Sequence, residues 1–513
     1  MQDFRQTAGG VLTTEAERSQ RAGLDRLACG VGILAAIATL ANGAGFVQRR
    51  IGLIDTAAYR RDLLTFCTQP IQELWLPASC HFRKVLSMQP LRVLTLDSSR
   101  LYETTGPELL LKLAKYGVLG GLLLVSLALM LSRRVPAPRW RALLPALPLV
   151  LSIAMSLGMT ASRSGLPLAL ASLLSVIWVP LLALGGWLTT PTRLHRLASA
   201  MAFLIVVQLP LALLEAMRGL PTSFGSVAAT LHPPEAALPS RLAQTFILPN
   251  SLGVFAVCAL AFCISFSRHR RWVPWLYLAA LPPILLARSA AGCITLLALL
   301  GLPTVERLLQ RYPLRRHLLL WLAGMAAITG LLATALPRLL GRPDLLRSVG
   351  GRLLLLVQHL DPRQPLTLLF GEGLGAAGNR ISELLGNEPL LRPLLGGFWL
   401  DPAPLIGSSD SMVVLLLAQG GLLALLSFYG LLIRAMLKDR STRPFLMSVV
   451  LCSFTLNVTE LFPIDLLLAV ALCRSLQPAA SRAEGRAEGR FIPSLRPSPI
   501  QPPAPPAPAP SQG

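Results

Sequence analysis

Residues 411–433 read SMVVLLLAQGGLLALLSFYGLLI, bounded by Asp410 on one side and Arg434 on the other. The stretch carries no charged side chain and exceeds the ~20 residues that a helix needs to cross a ~30 Å hydrocarbon layer. Backbone N–H and C=O groups in lipid must find partners within the protein, so a run of this kind reads as a transmembrane α-helix. Working outward, comparable runs recur at 27–47, 117–132, 142–160, 166–188, 197–216, 246–266, 272–287, 289–303, 318–336, 444–458 and 461–476, about twelve spans with the first. The 513 residues are 53% apolar and only 14% charged, with a mean hydropathy of +0.59. A soluble globular enzyme of this length is excluded. The expected fold is an all-α polytopic membrane helical bundle of about twelve transmembrane helices, with a long outer loop before the tenth.

The net charge of +22 comes from 47 Lys and Arg against 25 Asp and Glu. These cations sit in short clusters between apolar runs, with no basic stripe interleaved with aromatics, so a nucleic-acid partner is excluded. Their distribution sets an orientation. With the N-terminus inside, the cytoplasmic segments, counted with Arg474 at the inner end of the last span, hold 26 of the 47 Lys and Arg, whereas the short outer turns hold only Arg163 and Arg288. Both termini are then cytoplasmic. Arg5, Arg18, Arg21 and Arg26 precede the first run, which is longer than a ~7–15-residue signal core and reads as a retained helix.

This organisation gives a cytoplasmic segment 1–26, a transmembrane domain 27–476 with outer loops 48–116, 217–245 and 337–410, and a tail 477–513. The tail runs through RAEGRAEGR into QPPAPPAPAP, a disordered basic and Pro-rich composition that buries no core. Eight cysteines form no CxxC pair and no Cys/His cluster with zinc spacing, so neither a metal nor another cofactor is expected. Cys67 and Cys80 share the outer loop 48–116, where they are either a disulfide or two unrelated thiols.

Several residues have the chemistry of a site. Gly373, Gly375 and Gly378 match GxGxxG, but a dinucleotide site needs a βαβ unit that an outer loop of a helical bundle does not offer. Their tight turn either packs or presents backbone N–H groups to an anion. Arg241 precedes a span that Asn250 enters by one turn, Arg352 opens RLLLLVQHL, and Asp410 stands at the head of the span at 411. Guanidinium groups grip phosphate oxygens in bidentate fashion, and a carboxylate at a membrane edge accepts a proton. Read singly, the arginines are equally interface anchors and Asp410 the N-cap of its helix. Glu460 and Asp465, carboxylates in or beside the last span, are further candidates.

Five segments, in order, carry a family resemblance: RLAQTFILPNSLG (241–253), ARSAAG (287–292), GGRLLLLVQ (350–358), LLFGEGLGAAGN (368–379) and SDSMVVLLLAQGGLLA (409–424). Together with the span layout, they resemble the O-antigen ligase and O-antigen polymerase family of bacterial envelope glycan assembly. The resemblance implies a glycosyltransferase in the bacterial inner membrane, acting at its outer face without metal or cofactor. Its partners would be an undecaprenyl-diphosphate-linked glycan donor, a glycan or lipid acceptor and membrane lipids. By resemblance Arg241 and Arg352 engage the donor diphosphate, Asp410 is catalytic, and Asn250, Gly373 and Gly375 contact substrate. Where the ligase branch opens its pattern with histidine, this chain has Asp410, then Ser411, nine residues, Gly421 and Ala424. That departure leans away from a lipid A-core ligase towards a polymerase. A secondary transporter of a small anion such as bicarbonate is the competing class, although no repeat between the two halves is visible.

Overall fold

The computed structural model describes residues 15–52, 106–135, 143–217, 246, 249–267, 270–312, 328, 330–332, 334–340, 365–375 and 411–477. Arg241, Arg352, Gly378, Asp410, Cys67, Cys80 and most of the three expected outer loops lie outside the described residues, as does the tail after Gln477.

The described chain is helical throughout. Its helices are α1 (Glu15–Gly52), α2 (Gly106–Leu131), α3 (Leu147–Ser164), α4 (Leu166–Ser172), α5 (Leu181–Leu184), α6 (Pro191–Met217), α7 (Pro249–Phe266), α8 (Val273–Leu286), α9 (Ala290–Arg311), α10 (Pro365–Phe370), α11 (Met412–Lys438), α12 (Arg443–Ser453) and α13 (Ile464–Leu476). Among the described residues six helices are long and apolar enough to cross a membrane, and a bent pair, Leu168–Val176 with Leu181–Thr189, makes a seventh if its 42° break lies within one span. The chain is a helical membrane protein.

Burial sorts the helices. Along α7 every side chain from Leu252 to Phe262 is buried, and along α13 almost every position is. Helices apolar on all sides belong at the centre of a bundle. Around them, α1, α2, α3, α8 and α9 turn large apolar residues outwards, among them Ile33, Leu124, Leu151, Leu278 and Leu300. In water such a belt would be a severe liability; in a bilayer it is the lipid-facing surface. α7 packs against α6, α8, α9 and α12, while α11 lies against α3, α10 and α12.

The last two spans differ from expectation. The regions 444–458 and 461–476 fold as helices of only 11 and 13 residues, about 16 and 20 Å long at 1.5 Å per residue. The intervening segment contains the cis Phe462–Pro463 bond and turns inside the protein, with Asn457, Thr459 and Glu460 all buried. Irregular backbone is tolerated at this depth only when protein or a cavity surrounds it.

One rim of the bundle is tied by charges. Arg193 Nε meets Asp25 Oδ1 at 2.8 Å, and Arg474 lies 3.4 Å from Asp439 while donating to the Thr189 carbonyl at 2.9 Å. Lys438 Nζ donates to Leu476 O at 3.0 Å, and Arg443 pairs with Glu306 at 3.0 Å. Each of these residues lies at a helix end that the charge count assigns to one side, so the fold gathers those ends together.

Candidate functional site

The site is built around a break in α11. Gly421 has φ 63° and ψ −161°, far from helical values and in a region open essentially to glycine alone. A break in a span leaves carbonyls without intrahelical partners. Here the segment after α10 supplies them: Glu372 N donates to Ala418 O at 2.7 Å and Gly373 N to Gln419 O at 3.2 Å. The same segment also binds α3, Leu374 N donating to Ser156 O at 3.1 Å and Gly375 N to Thr160 Oγ1 at 3.0 Å. Gln419 closes the loop by donating from Nε2 to Leu374 O at 3.0 Å.

Such close backbone contact requires glycine. A Cβ on Gly371, whose φ is +77°, would lie 2.5 Å from Gly420 N, and one on Gly421 would lie 2.4 Å from the Leu369 carbonyl carbon. At Gly375 it would meet Thr160 Cγ2 at 2.8 Å. Of the two openings the sequence left for this motif, packing or anion binding, the amides of Gly373 and Gly375 take the first: both are spent on protein acceptors.

Beside this joint lies a small cavity of about 30 Å³, partly open to the outside and walled mostly by apolar surface. Ser152 and Ser156 of α3, Ser175 and Trp178 of the bent pair, Gln419, Thr459 and Glu460 supply its polar wall. Leu149, Ile153, Leu415 and Phe428 supply an apolar one. The indole of Trp178 stands edge-on to Phe428, with ring centroids 6.2 Å apart and planes at 79°. Thr459 Oγ1 reaches Asn457 Oδ1 at 2.9 Å and Met412 Sδ at 3.3 Å, pinning the buried turn to the start of α11. Three irregular segments therefore converge on one small space, mostly apolar with a few polar groups at its wall: the α11 break, the glycine segment and the turn between α12 and α13.

The sequence candidates distribute unevenly around it. Glu460 lines the cavity. Asp465 lies instead in the first turn of α13, fully buried, its Oδ1 accepting from Leu466 N at 2.7 Å, where a carboxylate favours the helix dipole. Asn250 is half-buried in the first turn of α7. Arg288 adopts φ 48° and donates from Nη1 to Leu340 O at 3.3 Å, just before Ser289 caps α9. The residue at the N-cap of α11 is Ser411, in extended conformation, rather than Asp410. Among the described residues no group of three His, Cys, Asp or Glu is placed to hold a metal ion.

The hydroxyls of α3 were overlooked in the sequence although a signal exists. Ser152, Ser156 and Thr160 recur every fourth residue, one stripe along an otherwise apolar helix. Compared with protein-family models, with curated proteins and with solved structures, the chain has no match.

Proposed function

We propose that this chain is a membrane glycosyltransferase that moves a glycan from an undecaprenyl-diphosphate donor to an acceptor sugar at the outer face of the bacterial inner membrane. The observation that carries the reading is the position of the cavity beside the α11 break. It begins at Met412, two residues after Asp410, and its polar wall includes four hydroxyls, an amide and the carboxylate of Glu460. A hydroxyl-bearing substrate finds its partners in such a lining. Further support comes from the described parts of the segments 368–379 and 409–424, residues 368–375 and 411–424, which are joined by Glu372 N to Ala418 O and Gly373 N to Gln419 O beside the α11 break.

In the proposed reaction the acceptor hydroxyl attacks the anomeric carbon with inversion. Its proton passes to Asp410, a C–O bond forms, and the bond to the diphosphate breaks with the electron pair leaving on oxygen. Arg241 and Arg352 stabilise that departing charge, a contribution of ~10²–10³ in rate for one such group. The reading includes a twelve-span layout with both termini cytoplasmic, the last two helices counting as one broken span each. Loss of Arg352 or Arg241 to alanine is expected to lower glycan assembly in cells by that factor, read on an envelope glycan gel. Normal glycan in the Arg352→Ala strain overturns the assignment.

A second reading, a secondary transporter of a small anion such as bicarbonate, is favoured by one feature. Discontinuous helices around a buried polar space are how many transporters build a substrate site, and α11 is broken at Gly421. Radiolabelled uptake measured beside the glycan gel separates the two. Transport predicts that deletion abolishes uptake and leaves glycan intact, and transfer predicts the reverse.

A further inference from the structure

The acids whose side chains are described on the charge-tied rim are all engaged: Asp25 meets Arg193, Glu306 meets Arg443 and Asp439 meets Arg474. Arg134, Arg271, Arg307, Arg434 and Arg440 lie in connections that the charge count assigns to the same side, and all five are exposed. None of them makes an ion pair among the described residues. The rim therefore carries positive charge that the described protein does not neutralise.

At the foot of α8 this charge meets an outward apolar face. Cys263 Sγ donates to Ala198 O at 3.2 Å, which sets the end of α7 and the Arg270–Trp272 turn after it beside the start of α6. Trp272 and Trp275, next to Arg271, are 65% and 66% exposed, whereas Trp178 and Trp187 are buried. Leu278, Leu281 and Leu285 continue the outward face every third or fourth residue, and the opposite face packs against α6 and α7. From Trp275 to Leu285 the helix runs about 15 Å at its usual rise, half of a ~30 Å hydrocarbon layer. The face therefore has the reach of one acyl chain in one leaflet.

Indole rings favour the boundary between headgroups and chains, and their N–H groups only donate. A guanidinium beside them grips phosphate oxygens. An ammonium headgroup brings a further positive charge to a rim that already has an excess, whereas a glycerol headgroup leaves the phosphate charge uncompensated. We infer that the foot of α8 binds an anionic, glycerol-headed phospholipid of the leaflet that contains the rim. Arg271 holds its phosphate, Trp272 and Trp275 lie at the level of its ester groups, and the three leucines receive a chain. The inference goes beyond glycan transfer and does not depend on it, because it rests on the membrane-spanning fold alone.

The test uses the full-length protein in phosphatidylcholine nanodiscs that contain a minor fraction of brominated lipid, which quenches indole fluorescence on contact. Brominated phosphatidylglycerol and brominated phosphatidylcholine are compared at equal mole fractions. The signal of Trp272 and Trp275 is the difference between the protein and its Trp272→Phe/Trp275→Phe variant. The anionic lipid is expected to reach half-maximal quenching of that signal at a mole fraction at least about fivefold lower than the zwitterionic one. Arg271→Gln is expected to reduce the preference about fivefold, the effect of one basic residue at an anionic surface. Arg134→Gln, in the turn after α2, is expected to leave it unchanged. Glycerol 3-phosphate in solution is expected not to relieve the quenching, because it lacks the chains that the leucine face holds. Should the double variant fail to fold, the two lipids compared on the unaltered protein and on Arg271→Gln still decide. Equal quenching by both lipids, an Arg134→Gln effect as large as that of Arg271→Gln, or displacement by glycerol 3-phosphate overturns the proposal.

Discussion

Gly421 shows how much a single residue carries here. Its backbone lies in the left-handed half of φ space, and its missing Cβ is what allows Leu369 to approach within contact distance. Gly421→Ala is expected to cost about 1–3 kcal/mol in backbone strain alone, before the clash with Leu369 is added. Gly430, nine residues further along the same helix, has nothing within 4 Å of an added Cβ. Gly430→Ala is expected to be neutral or to stabilise by up to about 1 kcal/mol, the usual helix-propensity gain. Thermal unfolding of both variants in the same detergent measures the contrast, and equal midpoints would mean that the break is not held by its glycine. The pattern GG at 420–421 was visible in the sequence, but a paired glycine inside an apolar run reads equally well as a close helix contact. Only the position of Leu369 distinguishes them.

At the level of elements, short helices are stapled by charges of unequal worth. Asp439 and Arg474 join the end of α11 to the end of α13 and are 6% and 11% exposed. Removing one member of a buried pair strands the other, at about 3–5 kcal/mol. Arg474 additionally holds the Thr189 carbonyl, which ties in the end of the bent pair. Arg443 and Glu306 are far more open, and an exposed pair contributes about 0–1 kcal/mol. Arg474→Ala is therefore expected to destabilise the protein by several kcal/mol more than Glu306→Ala, as measured by denaturant unfolding in mixed micelles. Both pairs would look alike in a count of charges along the sequence. Their difference comes from burial, which sequence distance does not report. The same holds for α12 and α13, whose hydropathy matches a pair of full spans while the polar residues Asn457, Thr459 and Glu460 sit in a buried turn between them.

Across the whole molecule, the helix ends assigned by charge to one side do meet at one rim, through Asp25 and Arg193, Asp439 and Arg474, and Arg443 and Glu306. The proposed orientation puts that rim in the cytoplasm and the cavity in the outer half of the bundle. In a background without native cysteines, a thiol at Ser441 is expected to react only after the inner leaflet is made accessible. One at Asp410 is expected to react in intact cells. The opposite pattern of labelling would remove the outer-face chemistry and, with it, the case for a lipid-carried donor.

The sequence by itself determined the class of this protein, because the length and apolarity of a span follow directly from the thickness of a bilayer and from the need to satisfy every backbone group within it. Its charge clusters also group the helix ends that Asp25 and Arg193, Asp439 and Arg474, and Glu306 and Arg443 join. Among the described residues six helices carry the signature of a span, and a seventh if the bent pair is one span. What only the tertiary structure decided is where spans break and what the breaks enclose. The amides of Gly373 and Gly375 turn to the carbonyl of Gln419 and the hydroxyl of Thr160, and three residues far apart in the chain, Ser152, Trp178 and Thr459, come to line one cavity. Burial and partnership are properties of contacts between distant segments, and no local pattern of residues encodes them.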